Sequence, residues 1–255
     1  MRGLIIAAGA GSRLKSQGDL KPLVQLAGRP IIEHVARLSA CAGLQSLVLV
    51  TGYRAELLEP MLHEIEARCG LPIAIVRNQD WERGNGTSVL AARTVLTEPF
   101  MLMMSDHLFD PRMLASLSEA GRQSQGIDIL LAIDRRLNNP LVDLDDVTRV
   151  QCVGDRIVRL GKGLPVYNAY DCGLFWCTPA LFKSLEHAIE SARAQHAPGT
   201  NLDVALALGE EARRGAHHME RDGTPESGER AGELPLEHEV IEAEAMVESQ
   251  LRGPA

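Results

Sequence analysis

Short apolar runs alternate along this chain with longer stretches of helical spacing. The runs are Leu4-Ile5-Ile6-Ala7-Ala8, Ser46-Leu-Val-Leu-Val-Thr51, Ile73-Ala-Ile-Val76, Phe100-Met-Leu-Met-Met104 and residues 128–133. Each has the length and residue types of a buried strand. Between them, residues 30–41, 54–69, 86–96 and 111–121 predict helices. In the second of these, Leu57, Leu58, Met61, Leu62 and Ile65 share a face, and Gly70 suits the position just beyond the end. Pro30 fits a first helical turn, and Asp110 is the natural cap ahead of Pro111. Such alternation with short connections predicts an α/β fold, a mixed, mostly parallel central sheet with helices on both faces.

The rhythm changes after residue 134. Residues 147–152 and 156–160, joined through Gly154-Asp155, predict a hairpin and a small antiparallel section. Residues 171–177 predict a further strand, followed by helices at 179–194 and 201–213. A single domain is expected over 1–219. Residues 220–235 carry Gly223, Pro225, Gly228 and Gly232 ahead of Pro235 and read as a link. Beyond it, Leu236, Val240, Ala243, Val247 and Leu251 line one face of an acidic amphipathic helix.

Charge sharpens this division. Residues 220–255 hold ten carboxylates against Arg221, Arg230 and Arg252, so −7 of the net −8 lies there. The body is nearly neutral, which argues against a broad nucleic-acid-binding face. No apolar stretch approaches the roughly 20 residues of a membrane span. Cys41, Cys69, Cys152, Cys172 and Cys177 are odd in number and lack a C-x-x-C pair, which suggests neither a disulfide framework nor a zinc site. A reducing compartment, the cytoplasm, is expected.

The first strand breaks into Gly9-Ala10-Gly11-Ser12, followed by Arg13, Lys15 and Lys21-Pro22. A flexible turn with bare N–H groups and three cations suits a polyphosphate. Walker and dinucleotide spacings both fail, because Leu14 and Lys15 stand where those motifs need glycine or Lys-Ser/Thr. Asp106 should stand at the carboxyl end of the 100–104 strand, on the same sheet edge as the loop. A carboxylate there suits Mg²⁺, which takes one or two protein carboxylates and completes its shell with phosphate and water. Gly84-Asn85-Gly86-Thr87-Ser88 is a second glycine-rich turn, where backbone could meet a base edge, with Asn78 or Asn85 adding selectivity; it also reads as an ordinary turn.

Weaker candidates surround these. Lys162, between two glycines, could reach an anionic acceptor or simply be solvated. Asp134, ahead of Arg135-Arg136, could accept substrate hydroxyls or pair with an arginine. His107 could support Asp106 or merely face water, and neighbouring His217 and His218 diverge too much to form a metal pair. No nucleophilic triad emerges from the spacing. A phosphate monoester acceptor would need none, being largely dianionic at pH 7; it would need alignment, a metal and cations.

These pieces bring a family into view. Residues 4–30, LIIAAGAGSRLKSQGDLKPLVQLAGRP, resemble the signature of sugar-phosphate nucleotidyltransferases of glycosyltransferase-A-like, Rossmann-like fold. GNGTSVLAA at 84–92, MMSDHLFD at 103–110, VDLDDVTRV at 142–150 and IVRLGKGLPVYNAYDCGLFW at 157–176 narrow the resemblance to the CTP:inositol-1-phosphate cytidylyltransferase domain, often fused to a membrane CDP-alcohol phosphotransferase. The resemblance covers roughly residues 1–215. It implies transfer of CMP from CTP, or of a nucleotidyl group from another NTP, to a small phosphorylated polyol or sugar, with Mg²⁺ as cofactor. It further implies that Ala7, Ala8, Gly9, Gly11, Ser12, Lys15, Gly84, Asn85, Gly86 and Ser88 hold the nucleotide and that Arg13 and Lys21 meet its phosphates. Asp106 would bind the metal, and Asp134, Lys162, Asp171 and Gly173 would border the acceptor. The family's C-terminal strand ends in Asp-Val-Asp ahead of Thr-Pro-Glu. Here Arg221-Asp222-Gly223 runs straight into Thr224-Pro225-Glu226, leaving Asp222 as the candidate second metal ligand. A weakened ligand set would bind Mg²⁺ less well and slow turnover. A different class therefore stays open, a nucleotide-binding or partner-docking module.

Overall fold

The computed structural model describes residues 1–10, 20–140, 142–194 and 216–220. Each apolar run forms a strand: β1 (Arg2–Ile6), β4 (Ser46–Thr51), β5 (Ile73–Arg77), β6 (Phe100–Met104) and β7 (Ile129–Asp134). A small ribbon, β2 (Gln25–Leu26) with β3 (Arg29–Pro30), precedes the first helix. The helices are α1 (Ile31–Cys41), α2 (Ala55–Cys69), α3 (Asn85–Ala91), α4 (Pro111–Gln123) and α5 (Ala180–Ala194). The second half adds β8 (Arg149–Val153), β9 (Arg156–Gly161), β10 (Ala169–Cys177) and β11 (Ala216–Glu220).

Local chemistry sets the helix ends. Asp110 caps α4 by accepting from the Arg112 amide at 2.8 Å, and Gly70 closes α2 in the left-handed conformation. Helix α3 is shorter than the spacing suggested, stopping at Ala91 rather than 96. Beyond it, bonds such as Arg93 N–H to Leu90 O and Val95 N–H to Ala92 O tighten the chain into turns, where β-branched Thr94 and Val95 disfavour a helix. The 201–213 helix, Asp222, the link and the 236–251 helix lie outside the described residues.

The strands form one sheet in the order β5-β4-β1-β6-β10-β7-β11-β9-β8. Among the described strands only β9 and β10 run against the rest. Alternate side chains of β1 point to opposite faces. Leu4, Ile6 and Ala8 join the core beneath α3 and α5, while Ile5 and Ala7 join the core beneath α1, α2 and α4. Strand β11 was not anticipated: His217-His218-Met219-Glu220 lacks an apolar run, and its place comes from backbone pairing with β7.

The topology positions the site. From β1 the chain steps outward to β4 and β5, then returns across the opposite face through α3 to β6. Strand order therefore reverses between β1 and β6, and a crevice opens at the carboxyl ends of strands at such a switch point. Ile6 of β1 lies beside Met104 of β6, so Ala7–Gly9 and Ser105–His107 leave the sheet side by side.

Candidate active site at the sheet switch point

Backbone bonds fix the first loop where it leaves β1. Ala7 N–H donates to Val50 O, and Tyr53 N–H donates to Ala8 O, both at 2.9 Å. Ala7 and Ala8 are buried and Gly9 is exposed. Gly11, Ser12, Arg13 and Lys15 lie outside the described residues. The chain resumes at buried Leu20, and Lys21 opens a single helical turn over Lys21–Leu23.

Lys21 and Asp106 meet as an ion pair, the ammonium on Oδ2. On Oδ1 the carboxylate accepts from His107 Nδ1 at 3.1 Å. The Asp106 side chain is 19% exposed, Lys21 34% and His107 48%. Burial alone would raise the Asp106 pKa; the charges and hydrogen bonds of His107 and Lys21 outweigh it and hold the carboxyl well below its usual range. Burial pulls the His107 pKa down, but Asp106, with Asp171 behind it, raises it overall.

Strand β10 completes this corner. Its register shifts between Asp171 and Phe175, a bulge that turns Gly173 to φ 71°. The Asp171 carboxylate closes the bulge by accepting from the Gly173 amide at 2.6 Å. A Cβ on Gly173 would stand 3.1 Å from the His107 ring, so the glycine lets the imidazole lie against the backbone. Lys21, Asp106, His107, Asp171 and Gly173 thus form one cluster.

The second glycine-rich turn stands beside the first loop. Thr87 Oγ1 donates to Asp80 O and Gly84 O, tying the turn into a closed knot at the start of α3. Asn78 sits inside this knot at 6% exposure. Its amide donates to Thr87 Oγ1 and Ser88 Oγ at 3.1 Å, and its Oδ1 accepts from the Asp80 amide at 2.9 Å. Of the two side chains offered for reading a base, Asn78 is spent on the turn itself. Ser88 and Gly86 are buried and Asn85 is exposed. Trp81 bridges the two loops: its ring packs on Tyr53 with centroids 5.2 Å apart, and its Cβ closes on Gly52 alongside Ala8. Neither aromatic drew attention in the sequence, where an isolated Trp carries no periodic signal.

The acceptor candidates divide. Asp134 ends β7 opposite Tyr170, and its carboxylate grips Arg136 through Nε at 2.9 Å and Nη2 at 2.6 Å. Lys162 pairs with Asp146. Arg149 organises that lobe, donating to Leu164 O and Leu144 O and lying 4.9 Å over the Tyr167 ring. Sequence reading passed over Arg149 because a single arginine in a hairpin strand looks like any exposed one.

A mostly parallel sheet with two backbone loops, a lysine and a half-buried carboxylate at its switch point is the frame of a nucleotide-handling α/β protein. The chain belongs to the MobA-like NTP transferase domain family, whose model matches residues 3–197. It is 38% identical over 189 residues to a bifunctional IPC transferase and DIPP synthase of Rubrobacter xylanophilus, covering 72% of this chain and 40% of that protein. A protein of the same description from Thermococcus kodakarensis is 31% identical, again over 72% of this chain and 39% of the relative. The chain therefore spans about two fifths of the length of these curated relatives. A UTP–glucose-1-phosphate uridylyltransferase of Haloferax volcanii is 25% identical over 82% of this chain and 85% of its own. Among solved structures, the inositol-1-phosphate CTP transferase from T. maritima shares the fold at TM-score 0.70 and 23% identity, over 86% of this chain and 84% of that one. No helix among the described residues is long and apolar enough to cross a membrane.

Proposed function

We propose that this protein is a Mg²⁺-dependent cytidylyltransferase that transfers CMP from CTP to a small phosphate monoester, best matched by 1L-myo-inositol 1-phosphate, and releases pyrophosphate. The observation that carries the reading is the Lys21–Asp106–His107 cluster beside the Ala7–Gly9 loop at the switch point. Family membership supports nucleotidyl transfer from an NTP, and the IPC transferase relatives support the choice of base and acceptor.

The donor set fits Mg²⁺. One ionised carboxylate stands at the strand end, and among the described residues no group of three His, Cys, Asp or Glu side chains converges. A dedicated cage is thus lacking there, and Mg²⁺ bound through one or two carboxylates plus substrate phosphates needs none. Asp106 would hold the ion, with Asp222 as a further candidate. When bound, the ion neutralises charge on the reacting phosphates and the leaving pyrophosphate.

The chain's own groups do the rest. Backbone around Ala7–Gly9 and Gly84–Gly86 seats the nucleotide, and Lys21, with Arg13 and Lys15, supplies positive charge along its phosphates. His107 and the Asp171–Gly173 bulge hold Asp106 in place. An acceptor phosphate oxygen attacks the α-phosphorus in line, and the bond from that phosphorus to the bridging oxygen of pyrophosphate breaks. Because the acceptor is already dianionic, no side chain need take a proton; positioning and charge supply the acceleration. A CDP-polyol product is the substrate class of a membrane CDP-alcohol phosphotransferase, which would be the functional partner.

The near full-length match to a uridylyltransferase gives sugar-1-phosphates a place in the test. CTP, UTP, GTP and dTTP are assayed against inositol 1-phosphate, choline phosphate and hexose 1-phosphates by pyrophosphate release. The proposal expects CTP with inositol 1-phosphate to exceed other pairs at least tenfold. Preference for a hexose 1-phosphate overturns the acceptor, and nucleotide binding without turnover by any pair overturns the enzyme reading.

A further inference from the structure

Both oxygens of the Asp106 carboxylate are met by donors of the chain itself, Oδ1 by the His107 imidazole and Oδ2 by the Lys21 ammonium. The Lys21 backbone cannot move away easily. Pro22 and Leu20 on either side are buried, Leu23 N–H donates to Leu20 O at 2.8 Å, and Val24 N–H donates to Lys21 O at 3.2 Å. Only the flexible four-carbon stem is free to swing, and its ammonium is a compact charge suited to moving between anions.

A divalent ion approaching without nucleotide would gain this one carboxylate and would have to displace the ammonium from it. Two like-charged ions competing for one oxygen repel strongly at contact distance. No other converging set of ligands among the described residues offsets that cost. A nucleoside triphosphate changes the balance, since its polyphosphate offers the ammonium another anion and brings several oxygens for the metal.

Building on the reading of Asp106 as the metal carboxylate, we propose that Lys21 is a cation gate: its ammonium keeps free divalent metal off Asp106 until a nucleotide polyphosphate draws it away, so that metal enters as the metal–nucleotide complex. The same lysine then serves the phosphates. Gate and phosphate ligand are two positions of one side chain.

The test reads metal directly. Mn²⁺ binding to the nucleotide-free full chain is followed by the electron paramagnetic resonance signal of free Mn²⁺, for wild type, Lys21→Met, Lys21→Gln, Lys21→Arg and Lys21→Met/Asp106→Asn, each checked for a native thermal melt. The gate predicts that the Met and Gln variants bind Mn²⁺ about tenfold more tightly than wild type, roughly 1.4 kcal/mol. Lys21→Arg should stay near wild type, and Asp106→Asn should erase the gain. Met and Gln variants that bind no more tightly than wild type overturn the gate, as does a gain that survives Asp106→Asn. CTP-dependent Mn²⁺ uptake by wild type and Asp106→Asn separates the two claims. Uptake that persists in Asp106→Asn sinks the metal assignment itself; uptake lost there without tightening in the Lys21 variants sinks only the gate.

Discussion

Replacing Gly173 by alanine probes how the β10 bulge supports Asp106. Three effects set the magnitude. At φ 71° an alanine sits in the left-handed region, which costs about 1–2 kcal/mol. The stiffer unfolded chain returns about 0.4–1 kcal/mol. The new methyl would stand 3.1 Å from two His107 ring carbons and 3.3 Å from Nδ1, so the ring must give by a few tenths of an ångström, at about 1 kcal/mol, the low end for overpacking. The net loss is about 1–2.6 kcal/mol, or a fall in Tm of about 2–10 °C for a domain of this size. Because the displaced ring is the one bonded to Asp106 Oδ1, kcat should fall roughly five- to tenfold through misplacement, with the nucleotide KM little changed. Urea unfolding and initial-rate kinetics read both effects. A second background isolates the contact: in His107→Ala the methyl meets no ring, so Gly173→Ala should cost about 1 kcal/mol less there. Equal cost in the two backgrounds refutes the ring contact, and no loss of stability in either refutes the backbone argument.

Glu33, 3% exposed, accepts from Nε and Nη2 of both Arg37 and Arg68; Glu33→Gln should destabilise by about 2–3 kcal/mol at pH 7, the partly exposed arginines regaining some hydration. Burial raises the Glu33 pKa, but the two arginines outweigh it and leave it lowered, so its stabilisation is present above about pH 4.3, the usual glutamate value, and is lost as pH falls through the lower folded value. Urea midpoints of wild type and variant should therefore converge in acid, and a gap that stays constant from pH 7 to pH 3 contradicts the pairing. Asn78→Ala removes three hydrogen bonds from the second turn, so CTP affinity by titration calorimetry should weaken roughly tenfold; unchanged affinity would detach that turn from the nucleotide. Lys21→Met should lose turnover while binding Mn²⁺ more tightly, the opposite trend expected of a simple phosphate ligand.

The parallel half of the fold was readable because its strands are continuous apolar runs, and such runs leave little choice but burial between two helical layers. Helix ends were legible where side chains or glycine enforce them, at Asp110 and Gly70. Strand β11 was not, since its pairing with β7 comes from tertiary backbone contacts rather than from its own residues. Within the site, Asp106 announced itself by standing just beyond an apolar strand. Its partners were legible only in part: Lys21 stood out as a phosphate cation and His107 under one of two readings, but the contacts they make did not. His107 reaches Asp106 Oδ1 only because Gly173, 66 positions later, bends aside, and no local pattern encodes that meeting. Asn78 shows the converse: amide chemistry suited to a base edge serves equally well to tie a turn, and only its neighbours decide which.

The most direct test of the central claim is product formation from CTP and inositol 1-phosphate, with pyrophosphate and the CDP-polyol quantified together by mass spectrometry for wild type and Asp106→Asn. The account predicts one pyrophosphate per CDP-polyol, strictly dependent on added Mg²⁺, and loss of both products in Asp106→Asn with its thermal melt unchanged. Equal turnover by the two proteins, or turnover by wild type in the presence of excess chelator, would contradict it.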